Sequence, residues 1–377
     1  MRIAILANNK NSYVRPMAEG LQRMLTAIGV EGQIFYDGLE QLRNLPPLLK
    51  TYVRNAAHGS TPKNILKYFI KEVPSFYPFI RRLQAFDVVV VVNSLVEAYL
   101  KDFFRDETLR WFLPHTPIVL YDVFYLPTRG PWRKWLKEGN LKMGVLKPGN
   151  WGLERYDWYL CASVVSETPM PRGLQPYSLI GLNLADVSLR QEPKKEFIAL
   201  IDFEIPDHMH EREIQILACE KTKTKYIALK GGYSIYQIRE IYRKCGIYFL
   251  AHRESFGVPI CELQACGAYV FTPYAKWCPS HWLKSDLSQE GPGDLSPNFI
   301  VYDNDKDTLV REIQRIKASY DPQQVVDTFR QYHHQLYYGD KFELKKFVHM
   351  VEKGEIHSKS HKEYASFKAP ELSVAFG

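Results

Sequence analysis

The chain alternates between two hydrophobic patterns along most of its length. Residues 3–7 (IAILA) are a short continuous apolar run, which predicts a strand covered on both faces. Val14, Met17, Leu21, Met24, Leu25 and Ile28 then recur at helical spacing, and Gly29 stands where that helix should stop. Strand signals follow at 33–36, 86–93 (FDVVVVVN), 117–121, 156–162 and 177–180, with a helical stretch over 95–112. Strands separated by helices imply parallel βαβ units.

A second series of the same kind opens near Glu196. Predicted strands at 197–201, 225–230, 246–251, 268–272 and 299–302 alternate with predicted helices at 211–219, 235–244, 259–266 and 308–319. Between the two series, residues 181–195 are polar and without periodicity, which marks a boundary. The expectation is an α/β protein of two Rossmann-like, doubly wound domains. The first spans 1–180 and the second 181–327, followed by a C-terminal helix over 328–352 returning toward the first domain and a polar tail over 353–377. Residues 43–82 break the rhythm with two Pro-marked helical stretches and read as a helical insertion in the first domain.

At 377 residues, 46% hydrophobic and 24% charged, the chain has material for two cores and is not disordered in composition. Its longest apolar run, 88–92, falls far short of the roughly 20 residues that span a bilayer. Met1-Arg2 leads straight into the first strand, so no secretory leader is expected. The six cysteines (161, 219, 245, 261, 266, 278) show neither a C-x-x-C pair nor a histidine at metal-site spacing. These features suggest a reduced, cytoplasmic protein. The net charge of +7 is gathered in two places. Eight bases between 43 and 82 face only Glu72, and six between 127 and 151 face only Glu138, with Trp132, Trp135 and Trp151 interleaved. Lysine with tryptophan suits an anionic membrane surface at the inner face or a lipid-linked acceptor; a solvated face with aromatics packed beneath is the alternative. No nucleic-acid-binding motif accompanies the bases, so nucleic acid is not an expected partner.

The segment richest in chemistry is Arg253-Glu254-Ser255-Phe256-Gly257-Val258-Pro259-Ile260-Cys261-Glu262, running on to Gly267. A strand ends, a glycine-bearing loop turns, Pro259 stands at a first helical position, and Gly267 stops the helix. The N–H groups of such a loop and first turn form an anion site. Glu262 in the first turn and Glu254 just before it can both face that opening, where carboxylates suit the hydroxyls of a sugar beside a phosphate. Read locally, Glu254 is equally a solvated loop residue and Glu262 a helix-end charge.

The same segment resembles the Glu-x7-Glu signature of retaining, family 4 glycosyltransferases with the GT-B fold. The resemblance rests on Glu254-Ser255-Phe256-Gly257, Glu262, the Ala-x-Gly close at 265–267, and the order of elements around them. Asn183-x-x-Asp186 is similar to that family's Asn-Gly-x-Asp turn. The resemblance implies two domains facing across a cleft and a nucleotide-diphosphate sugar as co-substrate, with no cofactor and no metal. It implies that Glu254 is the catalytic carboxylate on the transferred sugar and that Glu262 binds the ribose. Ser255, Phe256, Gly257 and Val258 would line the sugar and diphosphate, and the product would keep its anomeric configuration. The acceptor would be a glycan or a lipid-linked sugar. The sequence departs from the pattern in three places. Where the family carries a basic diphosphate clamp, residues 202–212 (DFEIPDHMHER) are acidic and histidine-bearing, leaving Arg212, Lys230 and Arg253 as candidate replacements. Tyr121-Asp122 takes the place of a histidine-bearing pair, as candidate acceptor or sugar contacts, and Asn8 to Ser12 replace a glycine turn. These departures also admit a catalytically degenerate GT-B protein that binds or assembles.

Overall fold

The computed structural model describes residues 1–7, 14–36, 77–92, 109, 112–125, 156–165, 177–190, 196–250, 254, 256–273, 295–302 and 305–358. The basic, tryptophan-rich stretch 127–151 lies outside the described residues, as do nearly all of the helix expected over 95–112 and most of the insertion and the tail. The chain divides into one unit of residues 1–162, 170–180 and 340–377 and a second of residues 163–169 and 181–339.

In the first unit, β1 (Arg2–Leu6), β2 (Glu31–Phe35), β3 (Val88–Val92), β4 (Ile118–Tyr125), β5 (Trp158–Val165) and β6 (Tyr177–Leu179) form a six-stranded sheet in the order β2-β1-β3-β4-β5-β6. The pairings β1–β2, β1–β3, β3–β4 and β5–β6 are parallel. All five valines of β3 are buried, which explains their continuous run: a central parallel strand is covered on both faces. Helix α1 (Val14–Ala27) lays Met17, Leu21, Met24 and Leu25 inward, and Gly29 ends the turn after it at φ +79°. The end of the insertion, 77–83, is helical and buries Phe79, Ile80 and Leu83, with Phe79 edge-on to Phe35 at 5.8 Å.

The second unit holds β7 (Ile198–Ile201), α2 (Met209–Lys221), β8 (Lys225–Ala228), α3 (Ile235–Lys244), β9 (Ile247–Phe249), α4 (Val258–Ala265), β10 (Tyr269–Thr272), β11 (Phe299–Val301) and α5 (Lys306–Ala318). Its five strands pair in parallel, in the order β11-β10-β9-β7-β8. Ile201, Phe249, Phe271, Tyr302, Leu309 and Ile313 meet in one core, with the rings of Phe249 and Phe271 4.9 Å apart. Strand β8 lies on one side of β7 and β9 on the other, so chain order reverses between β7 and β9. In an open parallel sheet, the carboxyl ends of two such strands leave a crevice where ligands bind.

The expected single helix over 328–352 is replaced by three helical pieces: α6 (Pro322–Tyr332), α7 (His334–Tyr337) and α8 (Lys341–Glu352). The breaks have local causes. Gly339 takes φ +72°, and the Asp340 carboxylate starts α8 afresh by accepting from the N–H groups of Phe342 (3.0 Å) and Glu343 (2.9 Å). From Asp340 onward the chain belongs to the first unit, where α8 packs on α1 and β6.

Candidate active site

Two strand ends build the site. The ladder between β7 and β9 pairs Leu200 with Tyr248 and Ile201 with Phe249, and Asp202 N–H continues it by donating to Phe249 O at 3.2 Å. Asp202 therefore stands at the carboxyl end of β7, where the Tyr248 hydroxyl donates to its carboxylate. On the β9 side, Gln215, wholly buried on α2, donates to Leu250 O at 3.0 Å and to the Tyr302 hydroxyl at 2.9 Å. That fixes Leu250, just past the end of β9 and four residues before Glu254 in the sequence.

Glu254 folds back over Gly257. A Cβ added at Gly257 would lie 2.7 Å from Glu254 Oε1, 2.9 Å from Cδ and 3.0 Å from Oε2. Gly257 has φ −140°, extended backbone that any residue adopts, so what it supplies is space for the carboxyl group. It is also the N-cap of α4, with no side-chain cap, and the first N–H groups of the helix have no acceptor within it. Burial, and after it the charge of Asp202, pushes the Glu254 carboxyl up to about 8. The shift favours the protonated acid, which can donate as well as accept a hydrogen bond.

Helix α4 begins at Val258, which places Pro259 second and moves Glu262 out of the first turn. Glu262 faces inward at 2% exposure. Its Oε1 accepts from Arg239 Nη2 at 2.6 Å and from Arg239 Nε at 3.0 Å. Arg239 Nη1 donates to Ser188 Oγ at 2.8 Å and lies 3.8 Å from Asp186 Oδ2. The Asn183-x-x-Asp186 turn, with Asn183 at φ +86°, is thus tied to Glu262 through one guanidinium. Sequence reasoning missed Arg239, although a signal was present. Ile235, Ile238, Arg239 and Tyr242 stand at i, i+3, i+4 and i+7, the spacing of a buried helical stripe, and a buried arginine needs an anion.

The candidate cations fall differently. Arg212 is 6% exposed and turned to main chain, donating from Nη1 to Asp202 O and from Nη2 to Leu229 O at 3.2 Å, with Glu204 3.7 Å away. It binds the ends of β7 and β8 together. Lys230 is exposed at the end of β8, next to Gly231 and Gly232 at φ +100° and +78°. Phe203, 38% exposed, and Tyr233 form an aromatic pair on that side, their rings 6.3 Å apart. Phe256 is half-buried and Val258 buried, while Arg253 and Ser255 lie outside the described residues.

Tyr121 and Asp122 belong to β4 of the first unit. Tyr121, paired with Val92, is fully buried, and burial raises its phenol far above the usual range. The Asp122 carboxyl is likewise pushed well up by burial, while its Oδ1 accepts from Val123 N–H at 2.7 Å. No group of three metal-binding side chains is gathered among the described residues. The Asp-x-Asp spacing at 305–307 serves helix α5, where Asp305 caps the N–H groups of Asp307 and Thr308. No described helix is long and apolar enough to cross a membrane.

No family model and no curated protein matches the chain. Solved structures do. A putative UDP-N-acetylglucosamine 2-epimerase from Listeria monocytogenes aligns over 94% of this chain and 96% of its own, at a TM-score of 0.51 and 11% identity. The catalytic domain of starch synthase IV from Arabidopsis thaliana, bound to ADP and acarbose, aligns over 93% of this chain and 98% of its own, at 0.50 and 9%. The fold is GT-B. At these identities the likeness is one of architecture, carried by two parallel-sheet α/β units. Within the GT-B plan, Glu254, Gly257 and Asp202 occupy the strand-order reversal of the second sheet.

Proposed function

We propose that this chain is a glycosyltransferase that takes its sugar from a nucleotide-diphosphate donor held by the second unit. One observation carries the reading: the Glu254 carboxyl, packed on Gly257, and the N-terminal turn of α4 meet beside the β7/β9 reversal of a GT-B fold. In this reading the diphosphate lies against the α4 turn, whose N–H groups and helix dipole favour negative charge. Phe256, Gly257 and Val258 supply backbone there. Glu254 meets the hydroxyls of the transferred sugar, and its protonated state spares the diphosphate a neighbouring carboxylate. Glu262 takes the ribose, Lys230 offers a cation from the rim, and Phe203 with Tyr233 offers a surface for the base.

The reaction breaks the bond from anomeric carbon to phosphate oxygen and forms one to the acceptor oxygen on the same face, so configuration is retained. The acceptor's proton passes to the departing phosphate, and no side-chain base or metal is required; catalysis is positioning and charge stabilisation. The acceptor is a glycan or lipid-linked sugar, with the basic composition of 43–82 and 127–151 favouring an anionic surface; Tyr121, fully buried, is closed to it. A second reading, a GT-B binding protein without turnover, is favoured by Arg212, whose guanidinium is spent on main-chain carbonyls.

Thermal-shift titration with UDP-glucose, GDP-mannose and ADP-glucose tests donor binding, because a ligand that binds only the native state raises Tm. We expect at least one to do so and to be consumed when an acceptor glycan is added. Binding without consumption supports the second reading. No shift with any of the three defeats both.

A further inference from the structure

We propose that Arg239 is a positioning residue of the donor site, setting the orientation of the Glu262 carboxylate and anchoring it to the turn that opens the second unit. The inference rests on the donor-binding reading above and deepens it by naming what holds its ribose-facing group. Arg239 is 5% exposed and Glu262 2%. Two guanidinium N–H groups converge on the single oxygen Oε1, at 2.6 and 3.0 Å. Two charge-assisted bonds on one oxygen balance its charge and hold that oxygen in place. The third arm of the fork reaches Ser188 Oγ at 2.8 Å, with Asp186 Oδ2 at 3.8 Å.

Those contacts join three pieces of chain that share no strand pairing: the inner face of α3, the second turn of α4, and the 186–188 turn. The turn is itself ordered, since Ser188 N–H donates to Asp186 Oδ1 at 2.8 Å and Cys266 Sγ, just past the end of α4, approaches Leu189 O at 3.6 Å. A buried ion pair is a poor device for stability, because well-packed apolar residues of similar volume often serve as well or better. Glu262 stands on the helix that Gly257 caps, five residues after it, and that gives the pair a use: a carboxylate held in place. Lysine at 239 would keep the charge but cannot present two N–H groups from a planar fork.

The test compares wild type with Arg239→Lys, Ser188→Ala and the paired replacement Arg239→Met/Glu262→Met, which leaves no buried charge unpaired between the two positions. Each is melted to confirm folding. Each is then titrated calorimetrically with UDP-glucose, GDP-mannose and ADP-glucose, and donor KM and kcat are measured where turnover occurs. We expect Arg239→Lys to weaken the bound donor at least tenfold, as a rise in KM with little change in kcat, the sign of lost ground-state binding. Ser188→Ala should fall between it and wild type, and the folded double-Met protein should bind no donor. Wild-type affinity in a folded Arg239→Lys or double-Met protein would reduce the pair to a structural element. Should Arg239→Lys fail to fold, the double-Met protein decides by the same criterion. If wild type itself binds none of the three, the donor reading falls and this inference with it, an outcome distinct from variants that match a binding-competent wild type.

Discussion

Glu254 and Gly257 act as one device, because the carboxyl group occupies the space a side chain at 257 would fill. A methyl group in Gly257→Ala meets only the end of a flexible side chain, so the fold should hold while Glu254 is pushed aside. Donor turnover should drop by about tenfold to a hundredfold, as misplacement of about 1 Å can cost, and Tm should move little. The raised Glu254 carboxyl gives a second expectation, independent of activity. Its folded value of about 8 lies above its ordinary value of 4.5, so between those limits the folded state holds a proton that the unfolded state has lost. Stability from this group is present below pH 4.5 and lost as pH rises through 8. Glu254→Gln should therefore gain on wild type across that window, by on the order of a few kcal/mol at pH 8. Urea unfolding of both proteins at pH 5 and pH 8 checks it; equal differences at the two pH values would show that Glu254 titrates normally.

Secondary elements record where pattern reading works and where it stops. Continuous apolar runs place the central strands of both sheets within a residue or two, because a strand buried on both faces has no polar position to disguise it. Helix α4 is equally legible, closed by Gly267. That residue takes φ +84°, and a Cβ there would sit 2.7 Å from Pro322 Cβ and 2.8 Å from Pro322 O. Gly267→Ala should cost about 2–4 kcal/mol from the left-handed backbone and the overpacking together, read from the urea midpoint; a loss under about 0.5 kcal/mol would mean that α6 gives way freely. The division of α6, α7 and α8 was harder to see, since 328–352 carries no internal proline and its breaks depend on Gly339 and a single aspartate cap. Pairing between elements escaped altogether. Sequence spacing lays Arg239 on the inner face of α3 and Glu262 on α4, but only the folded sheet brings these positions, 23 residues apart, into contact.

Across the whole molecule, a buried base opposes the buried acids. His333 is 1% exposed, and burial lowers it to about 4, below its ordinary 6.5. Between those values the unfolded chain takes up a proton that the folded chain refuses, so stability rises with pH from 4 to 6.5 and is lost on acidification. Asp122, raised by its own burial, works in the same direction as Glu254. Replacing His333 with phenylalanine should flatten the acid limb of the stability profile by about 2–3 kcal/mol relative to wild type. Unfolding at pH 4.5 and pH 7 measures the difference, and an unchanged acid limb would assign that limb to other groups.

The return of α8 to the first unit has a consequence for how the protein is made. Residues 181–339 are nearly self-contained, whereas the first unit draws on both ends of the chain. During synthesis the second unit can therefore be complete while the first still lacks the helix that covers α1 and β6. Until residues 341–352 have been made, the strands made earlier wait for α8, and a chaperone acting on this protein would be expected to hold the part of the first unit already translated.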